Sequence, residues 1–135
     1  MKIEFLEFFD IPSTTAQQRR HGANGRNWRT PGLKAAQAAW QALLEKHKPV
    51  TPMTGPVAVD ISLIYHRKLS GREPIEPRIE RPDCDNIVKV ILDAMVRAGY
   101  FEDDRQVYCI GVQKFNQRVH ADAVHIQVKE DENKR

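Results

Sequence analysis

Asp83-Cys84-Asp85-Asn86-Ile87-Val88-Lys89-Val90-Ile91-Leu92-Asp93-Ala94-Met95-Val96-Arg97-Ala98-Gly99 is the stretch from which the rest of the chain can be read. Ile87, Val88, Ile91, Leu92 and Met95 recur at three- and four-residue spacings, which gives a helix one apolar side. Asp83 or Asp85 stands where that helix needs a cap, and Gly99 stands where it needs a residue that can turn left-handed. Asp85, Lys89 and Asp93 fall four apart along the other side. An apolar stripe of this kind has to be covered by another layer, and that sets what to look for in the flanking sequence.

Upstream, Pro56 to His66 alternates, with Val57, Val59, Ile61, Leu63 and Tyr65 on one side and Asp60, Ser62 and His66 on the other, the period of a strand. Thr30-Pro31 opens a second helix whose Leu33, Ala36, Trp40, Leu43 and His47 share a face, ending near Lys48-Pro49. Lys2 to Phe9 reads as a first strand that stops at Asp10-Ile11-Pro12-Ser13. Downstream, Gln106 to Phe115 and Asp122 to Glu130 are rich in β-branched and aromatic residues, and their short connection suits an antiparallel pair. Ser13 to Arg29 and Arg67 to Pro82 read as polar loops, the second with prolines set against regular structure. Residues 130–135 read as a frayed tail. The order strand-helix-strand-helix-strand-strand predicts an α+β fold over residues 1–135. It would be one two-layer domain with a mixed sheet of about four strands and two main helices.

Composition agrees with one globular domain: 135 residues, 41% hydrophobic, 29% charged, with 7 Gly and 8 Pro. This balance excludes collagenous, disordered and disulfide-dense classes. The densest apolar run, Ile87 to Leu92, is broken by Lys89 and is far short of the roughly 18 residues of a membrane span, so no membrane partner is expected. Met1-Lys2-Ile3-Glu4-Phe5 puts an acid where a signal peptide needs apolar residues, and the expected location is cytoplasmic. Cys84 and Cys109 lack zinc-ligand spacing and read as reduced thiols.

Charge is distributed unevenly. Ile11 to Leu44 carries Arg19, Arg20, Arg26, Arg29 and Lys34 with no acid, whereas Asp83 to Asp104 carries Asp83, Asp85, Asp93, Glu102, Asp103 and Asp104 against Lys89 and Arg97. A basic surface beside an acidic cluster suits a metal-dependent enzyme acting on a polyanion: cations hold phosphates and carboxylates hold the ion. Carboxylates with no histidine or thiol among them form a hard oxygen site for Mg²⁺, with Mn²⁺ as a substitute, and call for no organic cofactor. Such an ion polarises a phosphodiester and acidifies bound water, while Lys89 would neutralise charge developing on the phosphate or leaving oxygen. The plainer alternative is that Asp83 and Asp85 only cap the helix and complement its dipole. A calcium loop is excluded because Ile87 and Val88 stand where its oxygen ligand and glycine belong. A zinc site from Cys84, Cys109, His120 and His125 has no recognised spacing. Trp40 belongs to the apolar face of its helix, and Trp28, between Arg26 and Arg29, either stacks a base or pins the loop.

The pattern Asp-x-Asp-Asn-x-x-Lys-x-x-x-Asp, formed by Asp83, Asp85, Asn86, Lys89 and Asp93, continues through Ala98-Gly99-Tyr100-Phe101 into Asp103-Asp104-x-Gln106-Val107. It resembles the RusA-type Holliday junction resolvases, endodeoxyribonucleases of bacteria and their phages. The resemblance implies that Asp83, Asp85 and Asp104 are catalytic metal ligands, that Lys89 is required, and that Asp103 lies beside the site as a further candidate ligand. It also implies a homodimer, each of whose two sites cuts one of two opposed strands of a four-way DNA junction with Mg²⁺, in recombination and repair. After the Gly99 turn, Asp104 is expected to return towards Asp83 and Asp85. Pro82 departs from the family, which carries a basic residue before the first aspartate, while Arg72, Arg78 and Arg81 keep the loop positive. Arg19, Arg20, Arg26, Arg29, Arg72, Arg78 and Arg81 are the expected phosphate contacts. Two other readings stand beside this one: a non-catalytic DNA-binding domain, and a metal-dependent nuclease for another branched nucleic acid.

Overall fold

The alternation read between Pro56 and His66 becomes the central strand of a mixed sheet. The computed structural model describes residues 1–13, 19–21, 27–29, 31–67, 69, 71–118 and 120–131, with backbone alone for 19–21, 27–29 and 31. Along β4 (Val57–His66) the residues Val57, Val59, Ile61, Leu63 and Tyr65 are buried, and the intervening positions are more open. The helices α1 (Pro31–Glu45) and α2 (Cys84–Ala98) share one hydrophobic core with that face. Leu33, Trp40 and Leu44 from α1 meet Ile87, Ile91 and Met95 from α2 there, all essentially without exposure. Trp40 lies against Phe9 with ring centroids 4.7 Å apart, the core position expected for it.

The sheet order is β1-β7-β4-β6-β5, where β1 is Lys2–Phe8, β5 is Ile75–Pro77, β6 is Val107–Gln117 and β7 is Ala123–Glu130. β4 and β6 are parallel, while β1 with β7, β7 with β4 and β5 with β6 are antiparallel. The expected α+β architecture is therefore present, with two helices and a five-stranded mixed sheet.

Three expectations are corrected. β6 and β7 do not pair with each other; both pair with β4, one on each side. A β6–β7 hairpin would leave one edge of β4 unpaired along its buried length, whereas this arrangement satisfies both. The connection between them straddles the end of β4, and Asp122 Oδ1 accepts the His66 N–H at 2.7 Å. The proline-rich segment contains the short strand β5, which tolerates Pro77 because it is an edge strand. The polar segment read as a loop contains an antiparallel ribbon of β2 (Arg19–His21) and β3 (Asn27–Arg29), too short for an alternation to show in the sequence.

The tail begins later than residue 130. Glu130 ends β7, its Oε2 accepts N–H groups of Thr54 at 2.8 Å and Gly55 at 2.9 Å, and its own N–H donates to Met1 O at 2.9 Å. The Gly55 and Thr54 amides hold its carboxyl below the ordinary value of 4.5. Residues 132–135 and Thr30, the expected cap of α1, lie outside the described residues. Among the described residues no helix is long and apolar enough to cross a membrane.

Candidate active site

The N-terminal end of α2 is built so that its acids stay unengaged. Asp83 occupies the cap position in extended conformation (φ −70°, ψ 144°), and its carbonyl accepts the Ile87 N–H at 3.1 Å, yet its side chain makes no capping hydrogen bond. Asp85 follows in the first turn and Lys89 one turn later. All three side chains are exposed, and among the described residues none has a hydrogen-bond or ion-pair partner. Asp85 gains from the helix dipole without committing its oxygens.

At the other end Gly99, with φ 93°, closes α2 by donating its N–H to Met95 O and Val96 O, both at 3.1 Å. A left-handed residue here lets the chain reverse. Tyr100 is buried, its hydroxyl donates to Leu44 O at 2.7 Å, and desolvation pushes its phenol far above the ordinary value. Asp103 then caps a single 3₁₀ turn, Asp104–Gln106, accepting the Arg105 N–H at 2.8 Å and pairing with Arg105 Nε at 3.2 Å. The Arg105 amide, followed by its guanidinium, holds the Asp103 carboxyl below its ordinary value. Gln106 Oε1 accepts the N–H groups of Glu102 at 2.9 Å and Asp103 at 3.0 Å, while its Nε2 donates to Met53 O at 2.9 Å and Gly55 O at 3.0 Å. Asp104 is exposed, and it lines an open depression of about 340 Å³ with Asp93, Val96, Arg97, Glu102 and Asp103.

The fifteen residues of α2 span about 22 Å, so within one chain Asp104 lies near Asp93 and not near Asp83 and Asp85. Among the described residues no group of three or more His, Cys, Asp or Glu side chains is gathered tightly enough to hold a metal ion. The pair Asp83 and Asp85 does fit a magnesium ion, which takes one or two carboxylates and completes its shell with phosphate oxygens and water. The triad does not assemble within a single chain. The thiols of Cys84 and Cys109 are free, His125 pairs with Glu4 at 2.8 Å, and the His120 ring lies tilted against Phe8 with centroids 5.2 Å apart, so no zinc set forms from them.

Comparison with known proteins bears on these residues as a set. The family model of endodeoxyribonuclease RusA matches residues 10–129. The chain belongs to the RusA endodeoxyribonuclease family. It is similar to "Uncharacterized protein YqaN" of Bacillus subtilis (strain 168), 30% identical over 128 residues covering 84% of this chain and 89% of that protein. It is also similar to "Crossover junction endodeoxyribonuclease rusA" of Lactococcus phage r1t, 25% identical over 118 residues covering 86% of this chain and 90% of the phage protein.

Within this RusA-family chain the expected phosphate contacts separate into groups. Arg72 and Arg81 have exposed side chains. Arg19 stands opposite Arg29 on the β2–β3 ribbon, and Arg20 stands opposite Trp28; Arg26 lies outside the described residues. Arg78 is corrected: it is 9% exposed and cannot present its guanidinium to DNA. Its Nη1 donates to Asn116 Oδ1 at 2.9 Å, its Nη2 and Nε donate to Arg81 O at 2.7 and 3.2 Å, and it pairs with Glu80 at 2.9 Å. The Tyr65 ring lies under it at 4.0 Å. Burial pushes the Tyr65 phenol up to about 12, a shift that the Arg78 charge opposes. Lys114, Asn116 and Tyr65 escaped notice in the sequence because each sits in a strand pattern that explained it. The capping role of Gln106 was readable, since Gln three residues after Asp103 is a capping-box spacing.

Proposed function

We propose that this chain is a Mg²⁺-dependent, structure-selective endodeoxyribonuclease that resolves four-way DNA junctions by paired cuts in opposed strands, serving recombination and repair in the cytoplasm. The observation that carries the reading is Asp83, which occupies a helix-cap position and leaves its carboxylate uncommitted beside an equally free Asp85. In a binding module these acids would be caps, and Asp83 does not cap. A bound Mg²⁺, for which Mn²⁺ can substitute, supplies electrophilic activation of the phosphodiester and an acidified water. Asp83 and Asp85 would hold the ion, and the exposed Lys89 is available to a phosphate oxygen. The name of the phage relative supports the junction as substrate. So does the ribbon, whose register sets Arg19 opposite Arg29 and so brings two basic residues to one position of a short element.

A homodimer completes the site. Among the described residues no strand pairs with the outer edge of β6 before Phe115, where only Lys114 O is taken, by the Arg78 N–H, and Tyr108 and Ile110 of this stretch are exposed. Val107 to Lys114 is about 23 Å of strand, close to the length of α2. Lys114 touches Pro82 O, one residue before Asp83, and Val107 follows Asp104 by three. Two β6 edges meeting antiparallel would therefore bring Asp104 of one protomer to the Asp83–Asp85 end of the other.

The test is cleavage of an end-labelled four-way junction and a matched linear duplex, in Mg²⁺ or EDTA, by wild type and Asp85→Asn. The expected result is paired cuts in the junction alone, lost with EDTA and with the substitution while binding persists. Binding without cuts, even in Mn²⁺, would leave a DNA-binding module, and cutting of a flap or RNA in place of the junction would change the substrate. Mixing Asp85→Asn with Asp104→Asn chains tests the shared site: mixed dimers should nick one strand where each variant alone cuts none.

A further inference from the structure

We infer that Lys114 and Arg78 act as a pair of backbone-gripping cations that position Asp83, and that their role in this protein is placement of that carboxylate and not contact with DNA. The inference rests on the proposed nuclease reading, in which Asp83 belongs to the reacting site. The segment leading into α2 presents three successive carbonyl groups, and each is held by one of these two cations. Lys114 Nζ donates to Glu80 O at 2.8 Å and to Pro82 O at 2.6 Å. Arg78 takes the carbonyl between them, with Nη2 at 2.7 Å and Nε at 3.2 Å from Arg81 O. A further bond closes the loop on the strand, from Arg78 N–H to Lys114 O at 2.9 Å.

The grip is anchored on the rigid part of the molecule. Arg78 is fixed by Asn116 Oδ1 and by the Tyr65 ring, and Tyr65 and Asn116 are direct neighbours across the β4–β6 pairing. Lys114 lies on the same strand as Asn116. Hydrogen bonds from charged donors are roughly twice as strong as neutral ones, so four of them on three adjacent carbonyls fix where the segment ends. The next residue is Asp83, whose own side chain contributes nothing to holding the helix start. Its position is set from behind, through the backbone, and its oxygens are left for chemistry. This division also explains why Arg78, on a loop expected to be a phosphate-binding surface, is buried against the sheet.

The experiment compares wild type, Asp83→Asn, Lys114→Met and Lys114→Arg. Single-turnover junction cleavage, junction affinity in EDTA and amide hydrogen exchange over residues 79–86 are measured for each. Lys114→Met should slow cleavage by about 100-fold, the scale of a small misplacement of a catalytic group. Junction affinity should stay within about twofold while exchange across 80–85 rises, since phosphate contact and placement are separate tasks. Lys114→Arg, which keeps two donors on a positive head, should restore most of the rate. Should Lys114→Met prove too unstable, Arg78→Lys keeps the charge and drops the two-pronged hold on Arg81 O, with a smaller loss of rate at unchanged affinity. A rate and exchange pattern equal to wild type would overturn the inference, as would a loss of affinity matching the loss of rate, which would make Lys114 a phosphate contact. If wild type cuts no junction while Asp83→Asn binds as wild type does, the nuclease reading fails. The exchange data then judge the grip alone, which falls if Lys114→Met leaves residues 80–85 unchanged.

Discussion

At the start of α2 an aspartate sits in a cap position with its carboxylate free, and the backbone before it is secured by Arg78 and Lys114. At the end of α2 another aspartate, Asp103, sits in a cap position and spends its carboxylate on Arg105, in a capping box completed by Gln106. The same residue type at the same kind of position does opposite things. The difference shows how to separate structural from chemical acids: a cap whose amides are bonded elsewhere, or left to solvent, releases its side chain for other work. Asp104, next to the structural cap and itself exposed, shares a side-chain hydrogen bond with Asp103 and so falls between the two kinds, and α2 separates it from Asp83 and Asp85.

Replacing Asp85 with Asn should give the largest effect. Junction cleavage is expected to fall about 1,000-fold with little change in affinity or in the unfolding midpoint, since a carboxylate that serves the reaction alone is removed. If Asp103→Asn produced an equal loss, the distinction between the two ends would break. Lys89→Ala is expected to lower the cleavage rate by about 100-fold and affinity much less; equal losses would move Lys89 from the reaction to phosphate binding. Gly99→Ala addresses the reversal that leads to Asp104. The left-handed conformation costs a side chain about 1–2 kcal/mol, which denaturant unfolding would detect, and the rate should suffer less than the stability.

The smallest effect is expected from Asp103→Asn, read as stability against pH. The Asp103 carboxyl titrates lower in the folded chain than its ordinary 3.8. Its contribution is therefore complete above that value and disappears as pH falls through the lower folded one. Wild type should exceed the variant slightly in unfolding midpoint near neutral pH, and the gap should close in acid. A gap that widened in acid would show Asp103 to be repelled rather than held.

How much was legible before the structure depends on whether the signal was local. The β4 alternation, the apolar face of α2 and the Gly99 stop each carry their own period or conformational demand within a few residues. The sheet order does not, because β6 and β7 are adjacent in sequence and suggest a hairpin, while the competition that separates them comes from the two open edges of β4. Arg78 looked like a DNA contact because charge is written in the sequence and burial is not: its partners Asn116 and Tyr65 come from distant strands. The separation of Asp104 from Asp83 was within reach, since a helix running from Cys84 to Ala98 cannot have both ends in one place. The likeness to a known family singles out candidate acids and is silent on how one chain distributes them.

β7 is the last strand in the sequence and an interior one in the sheet, lying between β1 and β4. Lys2 pairs with Lys129, so the first strand has no neighbour until the final one arrives. During synthesis β4 must wait with one edge bare and the helices already made, and a truncation that removed β7 would detach β1 as well as itself. The order in which the ribosome delivers the elements is thus nearly the reverse of the order in which the sheet needs them. That delay, at translation speeds of about 5–20 residues per second, leaves an apolar, unpaired strand exposed for seconds, a reason for such a chain to fold late and to depend on its surroundings while it does.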